Sequence, residues 1–392
     1  MDSKRKKICI FLGSRANYSS LWPIMREIKQ DSDLELLLFV GASALLDKYG
    51  EVVQDVQKDG FSVDEYVFML LEGGTPITMV KSTGLGIADF APLLYKHKPD
   101  YVLVIGDRFE MLSVTIAAAF MNIPVVHTMG GEVSGTIDES IRHAITKLAH
   151  LHFPATELAK QNIIRMGENP AHVFNFGCPR IDAVKAFLER GYTDELSNFT
   201  STEGIGDVFD INEPFLLISQ HPVTTEYGSG ESQINETLEA VHAVQEEHDI
   251  LAVLLWPNAD AGTEDIARGI RKIREKHALK RFHAFKNFPL PLYVHLMDKT
   301  VCLVGNSSSG IRESAFIGTP VVNIGTRQQG REHGKNVLTV PYERNAIREA
   351  ILGQMKQRKY PRETIYGDGT ASKKIVSAIK NTNVSVQKKL HY

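Results

Sequence analysis

The chain has 392 residues, too many for one ordinary core and enough for two domains of roughly 150–200 residues each. At 43% hydrophobic and 23% charged it reads as a folded soluble protein, and a net charge of −3 gives no electrostatic case for nucleic acid. No apolar run approaches the ~20 residues of a membrane span. The cysteines (Cys9, Cys178 and Cys302) lack redox or metal spacing, so buried thiols in a reducing cytoplasm are expected.

The basic opening, MDSKRKK, leads into Ile8–Leu12, which is too short for a signal-peptide core and reads as the end of the first strand. After KICIFL come a helical stretch near 20–29 and the strand LELLLFV. Next are the strand YVLVIG (101–106), a small-residue helix over 112–121, the strand IPVVH (123–127), a long helix near 138–150 and a strand near 173–176. Short apolar runs closed by Gly, Pro or Asp mark strands buried on both faces, hence parallel and covered by helices. The rhythm restarts at PFLLIS (214–219) and continues through ILAVLLW, RFHAF, VCLVG, PVVNIG and NVLTV. Between the halves, residues 190–213 are polar and without periodicity. The expected fold is therefore α/β, with two doubly wound domains (1–190 and 213–369) facing across a cleft. A last helical stretch near 370–381, within the tail 370–392, is expected to pack back on the first domain.

Ligands of such sheets collect at the carboxyl ends of the strands. In GNSSSGIRES a strand runs into serines and then into a helix expected to end at Gly318. Ser308 or Ser309 is expected to cap that helix, and the first-turn N–H groups with the serine hydroxyls either serve plain capping or hold a phosphate. The next strand ends in GTRQQGR, which brings Arg327 and Arg331 to the same edge, and arginine forks onto phosphates. Glu313, one turn into the helix, is placed to accept from a ribose diol. A diphosphate linked to a ribose suits all three features.

The first half offers a second set. GSRANYSS puts Arg15 and Ser19 in the first strand-to-helix loop, and GDRFE puts Asp107 and Arg108 just past a strand end. Asp107 is either an N-cap or an active-site carboxylate. In HTMGGEVSGTIDESIRHAITK a double-glycine loop carries Glu132, and Thr136 with Glu139 makes a capping-box signature. Beyond it Asp138 and Arg142 share a helix face, as do Glu139 and His143. Asp107, Glu132 and Asp138 converging near a phosphate site would raise one another's proton affinity, which suits acid–base chemistry near neutrality. SQHPVTTEYG adds His221 at a strand terminus of the second half. None of these groups has metal-ligand spacing, so no catalytic metal is expected.

The motifs GDRFE, GGEVSGTIDESIRHAITKLAHLHF, QHP, PNADAG and GNSSSGIRESAFIGTPVVNIGTRQQGRE resemble the hydrolysing UDP-N-acetylglucosamine 2-epimerases of sialic-acid pathways. The likeness runs from about Gly13 to Val340. It implies a glycosyltransferase-B-like fold and conversion of UDP-GlcNAc and water to UDP and N-acetylmannosamine. The route is elimination of UDP to 2-acetamidoglucal followed by hydration, with no nicotinamide cofactor. By the same likeness Arg15, Ser19, Arg108, Asn258, Ser307, Ser308, Glu313 and Arg327 match positions that hold the uridine diphosphate. Asp107, Asp138 and His221 match catalytic positions, with Glu132 and Arg142 in the same motif, and Asp107 is the preferred base. The expected partner is a UDP-sugar, and the expected assembly a homodimer or dimer of dimers. Many members read His-x-Glu-Gly-Gly where this chain has HTMGGE, with Met129 in the glutamate's place. Either Glu132 takes over, or that carboxylate is dispensable, or the sugar differs. UDP-N,N'-diacetylbacillosamine, of legionaminic-acid synthesis, is the alternative substrate. A non-hydrolysing epimerase, a retaining glycosyltransferase and a UDP-sugar sensor are more distant alternatives.

Overall fold

A computed structural model describes residues 5–46, 52–207, 210–257, 261–277 and 281–391. The chain divides into two compact units. Described residues of the first fall within Met1–Val133, Ile137–Ala183 and Tyr366–Tyr392, and those of the second within Ser134–Thr136 and Val184–Ile365.

The first unit holds β1 (Lys6–Leu12), β2 (Leu34–Gly41), β3 (Glu65–Val67), β4 (Tyr101–Ile105), β5 (Val125–Thr128) and β6 (Leu151–Phe153). They form one sheet in the order β3-β2-β1-β4-β5-β6, and every pair is parallel. All five residues of β4 and all four of β5 are buried, as continuous apolar runs require when helices cover both faces. Because β1 lies beside β4, the sheet reverses direction between them and opens a crevice beyond their carboxyl ends.

The second unit holds β7 (Ile205–Gly206), β8 (Phe215–Ser219), β9 (Leu251–Leu255), β10 (Phe282–Phe285), β11 (Cys302–Gly305), β12 (Val321–Ile324) and β13 (Val337–Val340). Their order is β13-β12-β11-β8-β9-β10-β7. Apart from β7, which pairs antiparallel with β10, this is the same doubly wound order, with the reversal between β8 and β11. The core beneath includes Leu216, Ile218, Val241, Leu254, Ile270 and Val304.

Several elements differ from the sequence reading. The 190–213 stretch, without evident periodicity, carries the helix Asp194–Thr202 as well as β7. Residues 173–176 form no strand; they make a single bridge, His152 to Val173. Phe174 and Phe176 there stack on Phe153 at 5.8 and 5.9 Å, so their apolar character serves ring packing rather than a ladder. A 22-residue helix, Pro76–His97, stands where no element was expected. The helix Ala371–Asn381 belongs to the first unit. Asp182 caps it by accepting from the N–H groups of Ala371 (3.0 Å) and Ser372 (2.6 Å). The three cysteines are buried. No helix of the described residues is long and apolar enough to cross a membrane.

Candidate functional site

In the second unit the expected residues gather at the β8–β11 reversal. Register pairs Gly305 with Ser219, so the chain leaves both strands side by side, and Asn306 clamps the two exits. Its side-chain oxygen accepts from the His221 N–H at 2.7 Å, and its amide donates to the His221 carbonyl at 2.8 Å. The Asn306 carbonyl in turn accepts from Arg327 at 3.2 Å and from Gln328 at 2.8 Å, and Arg331 donates to Gln328 at 2.9 Å. His221 and Arg327 directly, and Arg331 through Gln328, are thereby tied to one residue that the sequence reading had not singled out.

The serine run folds differently from expectation. Ser307, not Ser308 or Ser309, is the cap, and it opens a short 3-10 turn over Ser308–Gly310. The α-helix that follows is only Glu313–Ile317, closed by Gly318 in the left-handed conformation. The turn is pinned from the side. Ser309 bonds to the hydroxyl of the half-buried Tyr293 at 2.6 Å and to the Ser307 hydroxyl at 2.9 Å, which ties the turn to a neighbouring helix. Burial pushes the Tyr293 phenol up, so it stays protonated. Glu313 is the first residue of its helix, rather than one turn in, and is only 3% exposed. Ser307, Ser308 and Arg327 are half-buried. Asn258 lies outside the described residues.

In the first unit the reversal between β1 and β4 carries the other set. The first helix, Arg15–Gln30, starts earlier than expected, so Arg15 and Ser19 sit in its opening turns rather than in a loop. Ser14 caps it, and Arg180 ties it down through Ser20 (2.8 Å) and the Ala16 carbonyl. Arg108 precedes the helix Phe109–Phe120 and pairs with Glu110, a carboxylate with no exposed surface.

Asp107 forms an ion pair with Arg142, whose side chain is fully buried. The same guanidinium donates to the Glu132 carbonyl at 2.6 Å. Asp107, after β4, and the Glu132 loop, after β5, are thus brought to one cation, which favours the ionised form of the carboxylate. Arg142 rises from the helix Ile137–Leu148, whose first turn carries Asp138, a half-buried residue. Glu139 and His143 meet on that helix at 3.6 Å, and burial, followed by the charge of Arg142, lowers the His143 pKa.

Met129 is 3% exposed, has a left-handed backbone (φ 61°) and turns its sulfur to Cys178 at 3.6 Å. Position 129 therefore faces the interior of the first unit, while Glu132 sits on the loop that Arg142 holds. His127, Asn306, Glu110 and Arg180 are the contributors that the sequence reading missed. His127, Asn306 and Glu110 all stood in quoted motifs at or just past strand ends, where their roles could have been sought; Arg180 did not.

The family described as UDP-N-acetylglucosamine 2-epimerase matches residues 26–380. A Legionella pneumophila protein, UDP-N,N'-diacetylbacillosamine 2-epimerase (hydrolyzing), is 33% identical over 375 residues, covering 96% of each chain. A Neisseria meningitidis UDP-N-acetylglucosamine 2-epimerase is 30% identical over 391 residues, covering 98% of each. Among solved structures, UDP-GlcNAc 2-epimerase from Neisseria meningitidis bound to UDP-GlcNAc superposes with a TM-score of 0.80 at 19% identity, over 96% of this chain and 100% of that one. The two-domain α/β architecture is accordingly of the glycosyltransferase-B kind.

Proposed function

This chain belongs to the UDP-N-acetylglucosamine 2-epimerase family, and from that premise we propose that it is a hydrolysing 2-epimerase, converting UDP-GlcNAc and water to N-acetylmannosamine and UDP. The observation that carries the reading is the Asp107 carboxylate at the β4 terminus, held by a buried guanidinium at the point where the first sheet reverses. A fixed, ionised carboxylate there is suited to take the weakly acidic proton from carbon 2.

In this reading the second unit binds the uridine diphosphate through Ser307, Ser308, Glu313, Arg327 and His221. Arg15, Ser19 and Arg108 contribute from the first, and Asn258 belongs to the same binding set. Asp107 takes the carbon-2 proton, the electron pair forms the carbon 1–carbon 2 double bond, and the bond from carbon 1 to the β-phosphate oxygen breaks. Arginine and histidine donors stabilise the charge that develops on departing UDP. Glu132 or Asp138 then supplies a proton to the other face of carbon 2 while water adds at carbon 1, so one water is consumed and the sugar leaves inverted at carbon 2. No redox step occurs.

UDP-N,N'-diacetylbacillosamine is the second reading, favoured by the 33% identity to the Legionella pneumophila enzyme of that name. The two sugars differ at carbon 4, so incubation with each UDP-sugar and NMR of the products decides between them. Free N-acetylmannosamine and UDP are expected from UDP-GlcNAc. A sugar still linked to UDP would indicate a non-hydrolysing epimerase, and turnover only with an added acceptor a glycosyltransferase.

A further inference from the structure

We propose that His127 is a positioning residue for Asp107, acting through the carbonyl of Gly106; this rests on the reading of Asp107 as the base. His127 lies in β5, paired in register with Val104 of β4, and has no exposed surface. Its Nε2 is 2.8 Å from the Gly106 carbonyl and its Nδ1 is 3.1 Å from the Thr146 hydroxyl.

Chemistry fixes the tautomer. A carbonyl can only accept, so Nε2 carries the proton. Burial, the largest influence, pushes the His127 pKa down to about 3, so the ring is neutral at any working pH and Nδ1 is a bare acceptor. The Thr146 hydroxyl has one proton and two acceptors in reach, the Arg142 carbonyl at 3.0 Å and Nδ1 at 3.1 Å, and the bare Nδ1 is held when that proton turns to the ring.

What the ring holds is the start of the catalytic loop. Gly106 has φ +70°, a left-handed turn that glycine enters without penalty, and its N–H still bonds to the Thr128 carbonyl at 3.0 Å. Its carbonyl leaves the ladder and meets His127. That carbonyl and the Asp107 N–H belong to one rigid peptide plane, so fixing the carbonyl fixes where the Asp107 Cα stands, the point from which its side chain leaves. Arg142, one helical turn before Thr146, holds the other end of the same residue. The imidazole also explains a glycine in the MGGE loop: a Cβ on Gly130 would stand 2.8 Å from His127 Nδ1.

The test is steady-state kinetics with UDP-GlcNAc and, in parallel, the other UDP-sugar. His127→Ala should lower kcat on the order of 10²-fold, as a misplacement near 1 Å does, with KM and UDP affinity within about twofold. His127→Gln, whose amide can donate to the same carbonyl, should recover most of the loss. In an Asp107→Asn background the alanine change should cost little more, because both act through one group. Where alanine lowers the unfolding midpoint, the isosteric Thr146→Val keeps the question open and should lower kcat several-fold. In ¹⁵N NMR of the wild type, an Nε2–H imidazole is expected. An Nδ1–H tautomer, an equal cost in both backgrounds, or no rescue by glutamine would overturn the proposal. High turnover in Asp107→Asn alone would instead refute the base assignment.

Discussion

Asp107 pairs with Arg142, and Arg142 has no exposed surface while the Asp107 side chain retains 21%. The cation is therefore structural and the anion reaches solvent, an arrangement that presents a carboxylate from a rigid mount. Asp107→Asn keeps the shape and removes the proton acceptor. Turnover should fall about 10²-fold or more, with UDP binding nearly normal. Because the change also leaves a buried guanidinium facing a neutral amide, stability should fall as well, by about 3 kcal/mol at most. Arg142→Ala should be worse on both counts. Steady-state kinetics with denaturant melts separates the two effects, and turnover above a tenth of wild type in Asp107→Asn would remove Asp107 from the base role. Glu132→Gln and Asp138→Asn are then the variants to assay.

Arg327 is half-buried and bonded to the Asn306 carbonyl, an acceptor that Gln328 also serves. Removing the arginine leaves Asn306 its second donor, so the fold should survive Arg327→Ala. Loss of a charge-assisted contact to phosphate costs on the order of 1.5–3 kcal/mol, and UDP affinity should drop roughly tenfold or more by calorimetry. An unchanged affinity would sink the diphosphate assignment.

His221→Ala should behave differently from Asp107→Asn. The histidine backbone is clamped by Asn306 through both its N–H and its carbonyl, which alanine retains, so only the imidazole is lost. A group that contacts phosphate in the ground state lowers binding and turnover together. A fall in kcat alone would move His221 from leaving-group binding to the chemical step.

Much of this was legible because strands buried on both faces write themselves as unbroken apolar runs. YVLVI and VCLVG could hardly be anything else, and the chemistry follows directly from what stands after them. Pro76–His97 escaped because Pro76, Pro92, Gly84 and Gly86 dilute the helical signal that its buried stripe of Ser82, Gly86, Phe90 and Leu94 gives too weakly. Residues 173–176 misled because Val173, Phe174 and Phe176 look like a strand, whereas Val173 makes one bridge and the two phenylalanines pack as rings. The partners Asn306 and His221 stand 85 residues apart, and only the reversed strand order makes them neighbours. Pattern along a chain records burial; it does not record which strand ends meet.

Acid should destabilise the first unit through His127. Its pKa is about 3 in the folded state against 6.5 ordinarily, with burial the main cause, opposed by the Gly106 bond, lowered further by His152 and Arg142 and raised by Asp107. The unfolded chain binds a proton that the folded one refuses, so stability is full above pH 6.5 and falls as pH drops towards 3, by up to roughly 5 kcal/mol. Glu168 adds to the same trend. Burial raises its pKa, but bonds from His152, Lys147 and Lys388 more than reverse this and leave it at about 2. Its contribution is lost below about pH 4.5. Denaturant midpoints between pH 7.5 and 4.5 should fall less steeply for His127→Gln than for wild type. Parallel slopes would show that the ring does not titrate this way.

The proposed chemistry predicts where hydrogen goes. If Asp107 removes the carbon-2 proton and a second group returns one to the opposite face, the returned proton comes from a carboxylate that exchanges with water. Turnover in heavy water should therefore place deuterium at carbon 2 of the released sugar, at close to one atom per molecule. Hydride removal and return at carbon 2 would instead conserve the original hydrogen and leave the position unlabelled. Elimination also requires that carbon 1 acquire its oxygen from solvent, so turnover in ¹⁸O-water should label the sugar and leave UDP unlabelled. Attack of water on the β-phosphate would label UDP instead. Because the free sugar exchanges its carbon-1 oxygen through ring opening, the UDP is the decisive fragment, and it should be read by mass spectrometry after a single turnover. Label in UDP, or none at carbon 2, would refute elimination and hydration, whichever carboxylate is the base.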